Sequence, residues 1–321
     1  MMRACWILMV ASLCATASAA DPGHEWNWTS PLPQGHGLEA YSVVGDVIYA
    51  VGDGGAMIHS DDGGVTWTNM PFEFDAWLLG VDFTDAMTGT VVGTRSNQGV
   101  ILRTEDGGAS WTEQGPAAMP WTESVDFIDA DTGVIVGWSG VIYWTTDGGD
   151  TWVPQSSGTT DRLYSVKLID ASTAVAVGLN GKVIRTGNAG ANWTIIGTPT
   201  DARLEHVDFG TPLNGVAVGY GGVAISTENG GLNWRLRGSN TGAWLQTVTF
   251  MNDSTAVAVG GLAGTIATTN YGLTWTPFTP PASVYWSGVD FLPDGSMLMT
   301  GGSGQLWRSD PSWENWTNAQ T

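Results

Sequence analysis

Two arginines and four aromatic residues recur at nearly constant spacing in this chain. Trp77, Trp121, Arg162, Arg203, Trp244 and Tyr285 follow one another at intervals of 44 and then 41 residues. Aromatic rings and guanidinium groups offer rigid contact area and planar hydrogen bonding, and they carry much of the energy of protein interfaces. Acid–base chemistry has fewer candidates. Glu123 and Glu205 each lie two residues beyond a member of this series, and a carboxylate pair facing across a cleft is what a glycoside hydrolase needs. Asp82, Asp126, Asp208 and Asp290 form a second column that can be read as acid/base groups or calcium ligands. Each directly precedes a Phe at the end of a strand-like run, so capping of the following turn is the expected role. The four histidines, His24, His36, His59 and His206, lack metal-ligand spacing, so no metal site is expected; His206 alone is placed toward the centre. A nucleophile elbow and a phosphate loop are both absent, and no cofactor is called for.

These side chains are positioned by an internal repeat. Trp67, Trp111, Trp152, Trp193, Trp234, Trp275 and Trp316 are separated by 44 and then by 41 residues. Each closes a motif of the form Ser/Thr-x-Asp-x-Gly-x-Ser/Thr-Trp, complete in residues 60–67, 104–111 and 145–152. The Asp position holds Asp62, Asp106, Asp147, Asn188, Asn229 and Asn270 in the first six copies. The seventh, residues 309–316, has Pro311 and Trp313 where Asp and Gly should stand, which predicts a different turn. Such a motif suits a tight hairpin whose Asp or Asn accepts backbone N–H groups while Gly takes the positive φ. The motif carboxylates are therefore assigned to their own turns rather than to catalysis.

Three strand-like runs precede each motif, as in Val125-Asp126-Phe127, Val134-Ile135-Val136 and Val141-Ile142-Tyr143, and a fourth begins at the Trp. Four antiparallel strands repeated seven times predict an all-β, seven-bladed β-propeller. In such a blade the motif hairpin joins the third and fourth strands on one face of the disc. Ten residues beyond each motif Trp the chain starts the innermost strand on the opposite face. Trp77, Trp121, Arg162, Arg203, Trp244 and Tyr285, with Gly37 as the blade-one counterpart, should ring the mouth of the central channel. The turns between second and third strands add Arg95, Trp138 and Tyr220 to that face. The alternative is that these large residues plug the channel or wedge neighbouring blades. For blade seven the outermost strand could come from Trp316-Thr317 or from an N-terminal copy, Trp28-Thr29-Ser30-Pro31, which is the favoured candidate.

Residues 1–20 have the charged, apolar and small-residue order of a secretory signal peptide, leaving 21–321 as one domain exported to a periplasm, a lumen or the medium. Both cysteines, Cys5 and Cys14, fall in that leader, so the mature chain is expected to have no disulfide and no thiolate site. The apolar run is too short to span a bilayer, and membrane insertion is not expected. A formal charge of −20, from 11 Lys+Arg against 31 Asp+Glu, disfavours nucleic acid and anionic lipid as partners.

The motif repeats, the Val-Asp-Phe and Ala-Val-Gly elements and the 41-residue period resemble the photosystem II stability/assembly factor family of BNR (Asp-box) propellers, over about residues 26–320. That resemblance implies an exported, non-enzymatic binding protein, acting as a monomer, whose client is a protein such as a membrane-protein assembly intermediate. Photosynthetic members carry an arginine-rich client patch, whereas only Arg162, Arg203 and Arg95 occupy comparable surface here. Asp-box propellers also include sialidases and other sugar hydrolases, and the aromatic rim could stack sugars as a lectin does. The Phe-Arg-Ile-Pro-like start of sialidases is absent.

Overall fold

The computed structural model describes residues 37–70, 75–262 and 264–319. The expected leader, both cysteines, His24, His36 and the Trp28 segment lie outside these residues. The described chain forms seven antiparallel sheets of four strands each, every sheet made from consecutive strands. The innermost strands are Leu38–Val44, Trp77–Phe83, Thr122–Phe127, Leu163–Asp170, Leu204–Phe209, Leu245–Phe250 and Trp286–Phe291. They surround a channel of about 840 Å3. The second strands, such as Thr173–Gly178 and Gly215–Gly219, are buried along their whole length. Each is covered by a neighbouring blade on both faces, and this explains why they read as continuous Val/Ala runs rather than as alternating ones.

Blade seven takes its outermost strand from the C-terminus: Trp316–Asn318 pairs with Gln305–Ser309. The favoured N-terminal candidate is therefore not needed to complete the sheet. The ring closes by packing instead. Ile48 and Ile58 of blade one meet Leu298 and Leu306 of blade seven, and the Ser287 hydroxyl donates to the Leu38 carbonyl at 2.8 Å.

The motif turns are built as their residue types require. In the second copy the Thr104 hydroxyl donates to Asp106 at 2.8 Å and accepts from the Gly108 N–H at 2.8 Å, while Asp106 accepts from the Ser110 N–H. Hydrogen bonding by the Ser110 side chain holds the Asp106 carboxyl below the usual range. Asn188, Asn229 and Asn270 make the same main-chain bond, to the N–H groups of Asn192, Asn233 and Thr274. In the seventh copy Asp310 takes over and accepts from Ser312 N–H and Asn315 Nδ2, and Trp313 adopts a φ of 62°.

The aspartate column corrects the turn-capping expectation. The turns after the innermost strands are capped three residues further on, by Asp85, Asp129, Asp170 and Asn252, and four residues on in blade seven, by Asp294. Asp82, Asp126 and Asp208 reach instead into the next blade and accept the backbone N–H groups of Phe127, Leu168 and Phe250 at 2.6–2.8 Å. An innermost strand is a sheet edge, so its outward N–H groups have no partner in their own blade, and a side chain from the preceding blade supplies one. Ser42 does the same for Phe83 in blade one. Asp290 keeps to its own Phe291 N–H and receives Thr249 Oγ1.

In blade four the column carries Lys167, whose ammonium lies 2.8 Å from Asp126. Burial, and then the nearby Asp126, push the Asp82 carboxyl up to about 7, and burial raises Asp290 to about 6. His206 lines the same channel, and burial, reinforced by Lys167, lowers it to about 4.

Seven glycines occupy one structural position, six of them ending the second strands and Gly93 lying two residues before the end of its own. A methyl group on Gly52, Gly93, Gly137, Gly178, Gly219 or Gly260 would lie 1.9–2.1 Å from the carbonyl oxygen just before or at the start of the innermost strand. The seventh, Gly301, has 2.6 Å. Only a bare α-carbon permits this approach. Gly219→Ala is expected to cost about 1–3 kcal/mol or more in urea unfolding, as overpacking against rigid backbone does. Gly197→Ala, with nothing within 4 Å of its added carbon, should be near neutral.

The Asp82 shift gives a second prediction. An aspartate whose pKa is raised on folding adds stability that is complete below the unfolded value near 3.9 and is lost as pH rises toward 7. Asp82→Asn keeps an acceptor for Phe127, so its stability relative to wild type should increase between about pH 4 and 7 and level off above that. A difference that stays flat across this range would show that Asp82 does not titrate there.

Candidate functional site

The glycine contact positions two rings of side chains on the face opposite the motif hairpins. Just past six of these glycines, a backbone N–H donates to the same carbonyl: Asp53 to Gly37 at 3.0 Å, and Trp138 to Trp121, Leu179 to Arg162 and Tyr220 to Arg203, each at 2.9 Å. Gly261 to Trp244 and Gly302 to Tyr285 repeat it at 2.7 and 2.8 Å. An inner-ring residue and an outer-ring residue are thus tied together in these blades, and their side chains are free to vary because main-chain atoms carry the geometry.

From blade three to blade seven the predicted residues form a nearly continuous stack. Trp121 and Trp138 have ring centroids 4.6 Å apart. The Arg162 guanidinium lies 4.7 Å from the Trp138 centroid and 4.4 Å from that of Tyr164. Arg203 lies 5.4 Å from Tyr164 on one side, and 4.8 and 5.8 Å from Trp244 and Tyr220 on the other. Trp244 then packs on Tyr285 at 5.4 Å, and the Tyr285 hydroxyl donates to Gln246 at 2.7 Å. Guanidinium faces held against aromatic rings within about 6 Å are favourable cation–π pairs.

Two predicted members stand apart from the stack. Trp77 occupies the rim of blade two, 44% exposed, and hydrogen-bonds Glu39. Arg95 is held by Glu113 of its own outermost strand at 2.6 Å. The sequence reading missed Tyr164, which fills the gap between the two arginines, and the exposed Leu179 and Leu262 of blades four and six. Tyr164 belongs to a further column of the period, two residues into each innermost strand: Glu39, Leu79, Glu123, Tyr164, Glu205, Gln246 and Ser287. Reading that column as a whole would have found it.

The same column places Glu123 and Glu205 beneath the arginines. Glu123 Oε1 lies 2.7 Å from Arg162 Nη2, and Glu205 is in close contact with Arg203 Nε. Both glutamates are almost fully buried, at 6% and 5% side-chain exposure, whereas each guanidinium retains about 30%. Burial raises Glu123 and pushes Glu205 up to about 6, and the arginines oppose both shifts. Glu39, at the channel mouth, is raised by burial and by Asp53. Glu123 and Glu205 stand on blades three and five, each engaged with its own arginine, rather than as a free pair across a cleft. Among the described residues, no group of three His, Cys, Asp or Glu side chains is arranged to hold a metal ion.

Residues 67–198 match the family described as Photosynthesis system II assembly factor YCF48. No curated protein matches the sequence significantly. Solved structures with the same fold include YCF48 bound to D1 peptide, at 19% identity and a TM-score of 0.72, covering 87% of this chain and 93% of that one. YCF48 from Cyanidioschyzon merolae is 20% identical with a TM-score of 0.71, covering 88% and 98%. An ancestral GH74 enzyme reaches 0.72 at 16% identity, covering 90% of this chain and 47% of its own. Likeness at these identities is likeness of fold alone. With the family match, it makes the chain a BNR-type β-propeller similar to photosystem II assembly factors.

Proposed function

We propose that the chain is an exported, monomeric, non-catalytic binding protein that holds a protein client on the aromatic–guanidinium face. The observation that carries this reading is the stack from Trp121 to Tyr285 with its exposed flank. Trp138, Leu179, Tyr220 and Leu262 project large apolar surface from four consecutive blades, with Tyr220 at 61% and Leu262 at 64% exposure. Contiguous apolar surface of this kind marks an interaction site, and Trp, Tyr and Arg are the side chains that anchor one. The solved YCF48 with a D1 peptide supports a peptide segment of a membrane protein as the class of client.

Glu123 and Glu205 do not favour the glycoside hydrolase alternative, because each is engaged by an arginine. Fold likeness to a GH74 enzyme does not settle activity, since propellers host many unrelated ones.

The test is a crosslinked pull-down of the mature protein from its own membrane fraction. Trp138→Ala/Tyr220→Ala removes exposed anchors without opening the core, and recovery of a membrane-protein intermediate should fall about tenfold or more. Arg162→Ala/Arg203→Ala should also weaken recovery. Equal recovery by wild type and both variants would remove this face from the account. Recovery of glycan or cell-wall material alone would transfer the assignment to a lectin or a hydrolase.

A further inference from the structure

The cations of the client face are all occupied. Among the described residues, this face presents Arg95, Arg162, Lys182 and Arg203. Each is ion-paired within the protein, to Glu113, Glu123, Asp161 and Glu205 respectively. Asp161 is held further by Asn180 Nδ2 at 3.0 Å. Glu39, Asp53 and Asp201 add negative charge on the same side without a described ion-pair partner. The two arginines central to the site have spent more than their charge. Their guanidinium carbons lie 4.4–5.8 Å from the ring centroids of Trp138, Tyr164, Tyr220 and Trp244, and each group is ion-paired with its buried glutamate.

An incoming carboxylate would meet guanidiniums whose charge Glu123 and Glu205 already neutralise. It would bring a second anion beside each buried glutamate with no net positive charge to receive it, which is unfavourable. The remaining field of the face is negative, so approach of an acidic segment is opposed at longer range as well.

Resting on the protein-client reading, we infer that Glu123 and Glu205 are built-in occupants of the two arginines, and that the face selects an uncharged, extended segment bearing aromatic and aliphatic side chains while rejecting acidic ones. The guanidiniums then serve as flat planks in an apolar surface. Trp138, Leu179, Tyr220 and Leu262 offer successive side-chain contacts as a strand-like segment crosses the blades.

Two N-acetylated, C-amidated peptides of about ten residues, spanning several blades at about 3.3 Å per residue, make the test. One combines Leu, Tyr and Gln, and the other carries Glu at every Gln position. Titration calorimetry at about 0.15 M salt should find the Gln peptide bound about tenfold more tightly by wild type, the factor expected when a like charge is brought into a site. Glu123→Gln/Glu205→Gln should abolish or reverse that preference, and Glu205→Gln alone should narrow it if the double variant does not fold. Wild type offers an independent check, because its preference should narrow toward about pH 5.5 as Glu205 gains a proton. Equal or tighter binding of the Glu peptide by wild type, binding of neither peptide, or a preference unmoved by the glutamate variants would overturn the inference. A captured client whose crosslinked segment is acidic would also overturn it, while leaving the protein-client reading intact. Capture of no protein would sink that reading instead.

Discussion

Seven contacts between a bare α-carbon and a carbonyl oxygen set the form of this molecule. At the end of each second strand a glycine passes so close to the start of the innermost strand that a single methyl group would overlap the carbonyl, by the widest margin at Gly52 and the narrowest at Gly301. That approach lets the next N–H bond the same carbonyl in six of the blades and fixes where the chain turns back. The two rings of rim side chains inherit their positions from it. Because the geometry belongs to the main chain, Trp, Arg, Tyr and Gly are all tolerated at the inner positions, and the face can be altered without altering the fold.

Radial symmetry leaves each innermost strand with an unpaired edge, and the solution is a side chain lent by the preceding blade. Ser42, Asp82, Asp126 and Asp208 each satisfy an N–H of the following blade. Carboxylates accept such bonds strongly, but burial around one axis raises the cost of ionising Asp82, Asp208 and Asp290. Lys167, in the same column, offsets part of that cost through Asp126. The acid ring at this end of the channel is thus a consequence of edge satisfaction. At the opposite end the carboxylates are placed for a different purpose, beneath arginines that need a counter-charge when their faces are packed against rings.

In a chain of net charge −20 with only 11 basic residues, arginines gathered at a rim invite a reading as anion receptors. Their partners reverse it. A guanidinium with a glutamate under one edge and aromatic rings over its faces is a flat, weakly hydrated surface, closer in behaviour to the tryptophans beside it than to a free positive charge. The face therefore differs in chemistry from an open arginine patch.

Much of this was legible in the sequence because a repeat converts position into geometry. The Trp67-to-Trp316 period counted the blades, and the Ser/Thr and Asp/Asn of the first six motifs specified their own turn, since their side-chain bonds run to residues within four positions. Counting from each motif Trp also placed Trp77, Trp121, Arg162, Arg203, Trp244 and Tyr285 on one rim. Contacts between blades were not legible. The aspartate column was misread as turn capping because its acceptors serve N–H groups 42–45 residues away. The outermost strand of blade seven is Trp316–Asn318, whereas the favoured N-terminal candidate lies outside the described residues. Local hydrogen bonding and periodicity depend on residues near in the chain, so the sequence alone determined the blades, their turns and the face each rim residue occupies. Arg203 and Glu205 are two residues apart on one blade, but how neighbouring blades meet decides the rest, so only the tertiary structure could place Tyr164 between Arg162 and Arg203 and bring Glu123 of blade three to Arg162 of blade four.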